Sequence, residues 1–235
     1  MRWYGLAGRL TRIVDSGAFF DALTIDCTAI DIHASRGGER IVDLNGALPA
    51  DLIGAFDFAL DPGALEHCFN IGAAIANVAR AVAVGGYVCH FSPMSMFNHG
   101  FYDLNPTFFH DVYTQNGFEI ALLKRCVGDP LSSKTFEIPA TARFADPPSD
   151  ASLVVIAKRM RAGEPIWPMQ SKYLANSNQN VPNGIVGGSS KSVIIFLIIR
   201  NKASLSDIGE ISMKRLLGLA VASMPRPIRG VHAGV

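Results

Sequence analysis

Apolar residues recur along this chain in two alternating rhythms. Residues 28–32, 40–44, 56–60, 87–91, 118–123 and 153–157 are short, nearly unbroken apolar runs. Such runs suit strands buried on both faces, as in a parallel sheet. Between residues 61 and 85, Leu65, Phe69, Ala73, Ile75, Ala76, Ala79 and Val82 recur near the 3.6-residue period of a helix, and Gly85-Gly86 reads as its stop. Residues 106–116 read as a second helix, with Phe108, Phe109, Val112 and Tyr113 on its apolar side and Gly117 ending it. The order strand–helix–strand–helix–strand predicts βαβ units and an α/β fold.

The pattern changes twice. Residues 128–150 are polar and carry prolines, so the runs on either side have no helix between them and suggest a terminal antiparallel pair. Residues 163–192 are rich in Asn, Gly, Ser and Pro and read as loop or disorder. Beyond them, 193–199 reads as a late strand and 211–223 as a short amphipathic helix. The expected organisation is one domain over residues 1–161, with a short first strand–helix unit, followed by an irregular, partly disordered extension over 162–235.

Composition narrows the classes. Hydrophobic residues are 49% of the chain, ample for a core, while charged residues are 17%, below the roughly 25% usual in soluble domains. The low charge leaves room for an apolar partner face, such as a homodimer contact. A net charge of +1 carries no electrostatic footprint for nucleic acid. Cys27, Cys68, Cys89 and Cys126 form no CxxC pair and read as reduced thiols. The histidines form no HExxH or HxxxH pair, so no metal is expected. The apolar run at 193–199 is far shorter than the about 20 residues a membrane span takes. The N-terminal stretch MRWYGLAGRLTR lacks the apolar core of a signal peptide. A cytoplasmic protein with no membrane partner is expected.

The most informative chemical pattern is a series of acids at strand ends: Asp31, Asp43 and Asp61. In open α/β sheets, ligands bind outside the carboxyl ends of the strands. A short, rigid carboxylate with two acceptor oxygens there can take both hydroxyls of a ribose or an amino group of a base.

The stretch FDFALDPGALEHCFNIGAAIANVARAVAVGGYVCHFSP resembles the fourth-to-fifth-strand unit of the class I S-adenosylmethionine-dependent methyltransferases. In that family an apolar strand ends in Asp, followed by a Leu-Glu-His element, an amphipathic helix, a Gly-Gly turn and a strand. TAIDIHASRGGERIVDLN is similar to the family's second and third strands, and NHGFYDLNPTFFHDVYTQNGFEI to a subgroup that continues with an aromatic helix. The resemblance implies a Rossmann-like, mostly parallel sheet with helices on both faces and a terminal antiparallel strand pair. It implies S-adenosylmethionine as cofactor. Asp31 would bind the ribose, Asp43 with Leu44 would lie by the adenine, Asp61 would stand near the methionine part, and Glu66 and His67 would flank the pocket. The departure lies at the start, where the family carries an acid and GxGxG. Here RIVDSGAFF offers only Asp15 and Gly17, with Gly5 and Gly8 an alternative that no apolar strand precedes.

The segment SPMSMFNHGFYDLNP concentrates His99, Tyr102, Asn98 and Asp103, with His90 just upstream, among Met and Phe side chains. Polar groups set among aromatics suit a small-molecule pocket. His99 and Tyr102 are the candidate bases, although methyl transfer is served chiefly by alignment. The expected function is S-adenosylmethionine-dependent methyl transfer to a small-molecule or sugar-like acceptor. The alternative is a non-catalytic methyltransferase-like binding or scaffold domain. A nicotinamide-dependent oxidoreductase would need GxGxxG before the first helix, and the chain has none.

Overall fold

A computed structural model describes residues 20–21, 23–34, 37–128, 133–144, 149–174 and, as backbone, 196–201. In its central strands alternate residues face opposite ways, and both sets are apolar. Ala59, Val88, Leu153, Val155 and Ala157 pack into one cluster, while Phe58, Leu60, Cys89, Val154 and Ile156 pack into another. This period of two is what a sheet buried on both faces requires. The elements are β1 (Ile25–Asp31), β2 (Arg40–Ile41), β3 (Phe56–Asp61), α1 (Ile71–Ala81), β4 (Val82–Pro93), α2 (Pro106–Gln115), β5 (Phe118–Val127), β6 (Lys134–Glu137), β7 (Ala151–Arg159), the single turn α3 (Ser171–Leu174) and β8 (Phe196–Asn201).

The strands form one eight-stranded sheet in the order β2-β1-β8-β3-β4-β7-β5-β6. This corrects the expectation of a Rossmann-like, mostly parallel sheet. Among the described residues, only β1/β2 and β3/β4 pair in parallel; the other five pairings are antiparallel. Unbroken apolar runs report burial on both faces, and burial carries no information about strand direction. β7 inserts between β4 and β5, antiparallel to both. β8, overlapping the run expected as a late strand and ending two residues beyond it, lies antiparallel between β1 and β3. β6 arises inside the polar stretch, with all four residues exposed and paired to β5.

Among the described residues, α1 and α2 pack on one face: Ala74, Ile75, Val78 and Ala79 of α1 and Phe109, Val112 and Tyr113 of α2 all join the same core cluster. On the opposite face Phe20, itself helical, is buried, with Leu23 packed beside it. Each fully buried Ile, Val or Leu contributes about 1.5–3 kcal/mol, so packing on the sheet adds to the helix propensity of its five alanines. Asn70 caps α1, its side chain accepting from the Ala73 amide at 3.3 Å.

The expected Gly-Gly helix stop is a strand irregularity instead. α1 ends at Ala81 and the chain passes directly into β4. Gly85 has φ +89° where the β3–β4 register shifts, and a Cβ on Gly86 would meet the Asp57 carbonyl oxygen at 2.7 Å. These glycines serve a bulge and a close backbone approach. α2 runs almost as expected, with Pro106 in its first turn and Gly117 at φ +79° just beyond it.

Candidate functional site

Strand directions place the site. β8 is antiparallel to both β1 and β3, and β7 to both β4 and β5. With the two parallel pairs, β1 to β5 therefore share one direction and end at one edge of the sheet. Asp31 closes β1, Asp43 follows β2 by two residues, and Asp61 closes β3.

The three acids are used differently. Asp31 is 2% exposed, and its Oδ1 accepts from the His33 amide at 3.0 Å. Asp43 is exposed; its Oδ1 accepts from the Asn45 amide at 2.9 Å and from the Asn45 side chain at 2.8 Å. Leu44 beside it is buried. Two asparagines of α1 hold this turn: Asn70 donates to Asn45, and buried Asn77 donates to the carbonyls of Leu44 at 3.0 Å and Gly46 at 2.7 Å. Asp61 is fully buried and saturated. Its Oδ1 accepts from the Gly63 and Ala64 amides, and its Oδ2 meets His90 Nδ1 at 2.7 Å. The far side of that ring, Nε2, meets the Tyr113 hydroxyl at 2.5 Å. Burial, with Asp61 nearby, raises the Tyr113 phenol well above its ordinary pKa, so its hydroxyl keeps a proton to donate. Asp61 thus anchors the turn that follows β3.

That turn is a 3-10 turn, Leu65–His67. The loop after β4 folds over it, because the Phe101 amide donates to the Glu66 carbonyl at 2.8 Å. The approach needs Gly100, where a Cβ would meet the same carbonyl oxygen at 2.8 Å. Asn98 turns the loop in the left-handed region at φ +62°. The result brings Glu66, His67 and His99 together. Glu66 Oε1 lies 3.9 Å from His67 Nε2 and 3.6 Å from His99 Nε2, and the imidazole centroids are 5.3 Å apart. Glu66 is 1% exposed while the His99 side chain is 50% exposed, so the cluster runs from the interior to solvent. Burial pushes the Glu66 carboxyl up to about 8, with Asp61 and Asp103 adding to the effect. Burial, then His99, lowers the pKa of His67. Near neutral pH the Glu66 carboxyl can hold or pass a proton, and the two imidazoles are chemically suited to bind a metal.

The remaining loop residues mostly have structural partners. The Tyr102 hydroxyl donates to the Phe69 carbonyl at 2.8 Å, and Asp103 accepts from the Met96 amide at 3.0 Å. The exposed Phe69 and Phe101 rings meet edge-on at 5.5 Å, an apolar flank beside the cluster. Asp15 and Gly17 lie outside the described residues.

Sequence reasoning named Glu66, His67 and His99 but did not join them, since 32 residues separate the histidines. It missed the Asp61–His90–Tyr113 chain, for which a histidine inside an apolar strand was the available signal. It also missed a cavity of about 500 Å³ between α1 and α2, lined by Gly72, Ala76, Phe108, Asp111 and Trp167 among others. A strap over residues 165–170 borders this cavity, and none of the edge acids reaches it.

Among the described residues, no helix is long and apolar enough to cross a membrane. No protein-family model, curated protein or solved structure matches this chain.

Proposed function

We propose that this domain binds S-adenosylmethionine at the edge where β1, β2 and β3 end, and transfers its methyl group to a small polar acceptor. The reading is carried by one observation: Asp31 and Asp43 lie at the ends of adjacent parallel strands, whose ladder runs on to the Val42 amide donating to the Asp31 carbonyl at 2.9 Å. A nucleoside presents ribose hydroxyls and a base amino group, and neighbouring carboxylates are the acceptors that suit them. Asp43 fits that task. It is exposed, its turn uses only Oδ1, and Asn70 and Asn77 hold the backbone of that turn through Asn45, Leu44 and Gly46. Asp61 does not fit, because both its oxygens are taken within the protein.

When bound, the cofactor supplies an electrophilic methyl group that needs no further activation. The chain's own part is then to hold the acceptor in line and keep water away. Glu66, His67 and His99 offer polar contacts to an acceptor hydroxyl or carboxylate, and Phe69 with Phe101 an apolar wall.

The test is calorimetric titration of the full chain with S-adenosylhomocysteine. Binding is expected, weakened roughly tenfold or more, about 1.4 kcal/mol, in Asp43→Ala and in Asp31→Asn. A flat titration of the unaltered chain overturns the reading. A second reading, a ligand-binding module without catalysis, is favoured by the saturation of Asp61 and by the antiparallel β8 set between β1 and β3. Heat of binding without conversion of S-adenosylmethionine to S-adenosylhomocysteine across a panel of acceptors would favour it.

A further inference from the structure

We propose that Glu66, His67 and His99 form a mononuclear site for a divalent transition-metal ion, with Zn²⁺ the best match. Two imidazoles and one carboxylate are a donor set that Zn²⁺ and its neighbours favour, and three protein ligands leave a coordination position for a water or a substrate oxygen. One donor atom from each residue lies within 4.8 Å of the other two. Ligands around a tetrahedral ion at zinc's usual bond lengths stand about 3.3 Å apart. The 3.6 Å and 3.9 Å separations from Glu66 Oε1 close to that spacing with shifts of roughly 0.3 and 0.6 Å.

A second observation points to a cation independently. Glu66 Oε2 is buried and has no hydrogen-bond partner, on a side chain only 1% exposed. Among the described residues, the lysine and arginine ion pairs are Arg40–Asp51, Arg80–Glu164 and Lys124–Glu137, so none compensates Glu66. A buried carboxylate with no compensating cation is costly, and an ion held at Oε1 would supply the missing positive charge. The site is also built in advance. The Phe101–Glu66 backbone bond and the close approach of Gly100 lock the His99 loop onto the turn that carries His67. Half-exposed His99 leaves an entry path. The ligand class that such an ion would bind is a small oxygen donor, a hydroxyl or a carboxylate. The metal site stands without the methyl-donor reading, which places the same three residues beside the acceptor but is carried by Asp31 and Asp43.

The test uses the full chain, stripped of metal by chelator and dialysis, then titrated with Co²⁺ and followed by its visible d–d absorption. Saturation at one Co²⁺ per chain is expected, with displacement by Zn²⁺. His99→Ala and His67→Ala should each weaken uptake roughly tenfold or more, as should Glu66→Gln, while His33→Ala should leave it unchanged. His99 is half-exposed, so its variant tests the site even if Glu66→Gln fails to fold. No d–d absorption, or His99→Ala and His67→Ala titrating like the unaltered chain, overturns the proposal. Because the probe is the metal alone, that failure leaves S-adenosylhomocysteine binding to be judged separately.

Discussion

Tyr113→Phe isolates the buried chain that anchors the candidate site. Tyr113 is fully buried, and its hydroxyl is the hydrogen-bond partner of His90 Nε2, whose Nδ1 holds Asp61. Phenylalanine keeps the ring, and with it the contacts to His90 at 5.6 Å and Phe118 at 4.9 Å between centroids. Packing therefore changes by about one oxygen atom. What is lost is a hydrogen bond, and a ring nitrogen of a buried histidine is left unsatisfied. That situation costs about 1–3 kcal/mol, the upper half being expected because His90 is itself 0% exposed. With a urea slope of about 2 kcal/mol per molar, a loss of about 2 kcal/mol lowers the unfolding midpoint by about 1 M. Circular dichroism and tyrosine fluorescence should report the same transition. A midpoint within about 0.2 M of the parent would refute the claim that this chain is an energetic anchor of the fold.

Asn116→Ala should loosen the strap that borders the α1–α2 cavity. Its side chain donates to the Ile166 carbonyl at 3.0 Å and accepts from the Ile166 amide at 2.6 Å. Both bonds are partly solvated, so a loss of about 1–2 kcal/mol is expected, seen as faster limited proteolysis between residues 160 and 170. Trp167→Ala should act in the same direction, since its ring lies against Gly72, where a Cβ would meet it at 3.0 Å. Stability should also fall at alkaline pH. Burial pushes the thiols of Cys27 and Cys68 up to about 12 and raises Cys89 and Tyr113 further. Unfolding frees these groups to ionise near about 8.5 for Cys and about 10 for Tyr. Their contribution is fully present below those values and is lost as pH rises toward the folded ones. Melting temperatures measured from pH 7 to 11 should drop above about 8.5; a flat profile would contradict the burial of these groups.

What the sequence made legible was local. The part of the α1 periodicity from Ala73 to Ala79, the α2 segment from Pro106 to Gly117, and the strand cores around Phe58, Val88 and Val154 follow from burial patterns that the chain carries on its face, whereas Leu65 falls in the 3-10 turn, Phe69 is exposed ahead of the helix and Val82 begins β4. Long-range choices were not legible. Val154 and Ile156 pack equally well in a parallel or an antiparallel strand, so their apolar run could not show that β7 inserts between β4 and β5. The pairing of β8 with β1 and β3 depends on partners more than 130 residues away, outside the reach of any periodicity. Gly85-Gly86 carried a true signal of backbone freedom with the wrong context attached, since the same dipeptide ends a helix or bulges a strand. At the site, strand-end acids were visible as a series, but which of them is free was not. Asp61 is consumed by His90 and two amides, a fact set by a histidine 29 residues on. The meeting of His67 and His99 depends on one close contact at Gly100, which looks in sequence like an ordinary loop glycine.

In the proposed function a nucleoside-bearing ligand sits where β1 and β2 end. Ultraviolet cross-linking of radiolabelled S-adenosylmethionine to the full chain, followed by peptide mapping, tests it most directly. Label confined to the segment holding Asp43 and Leu44, and lost in Asp43→Ala, is the expected result. Absence of label, or label on the peptide carrying Trp167 beside the α1–α2 cavity, would contradict it.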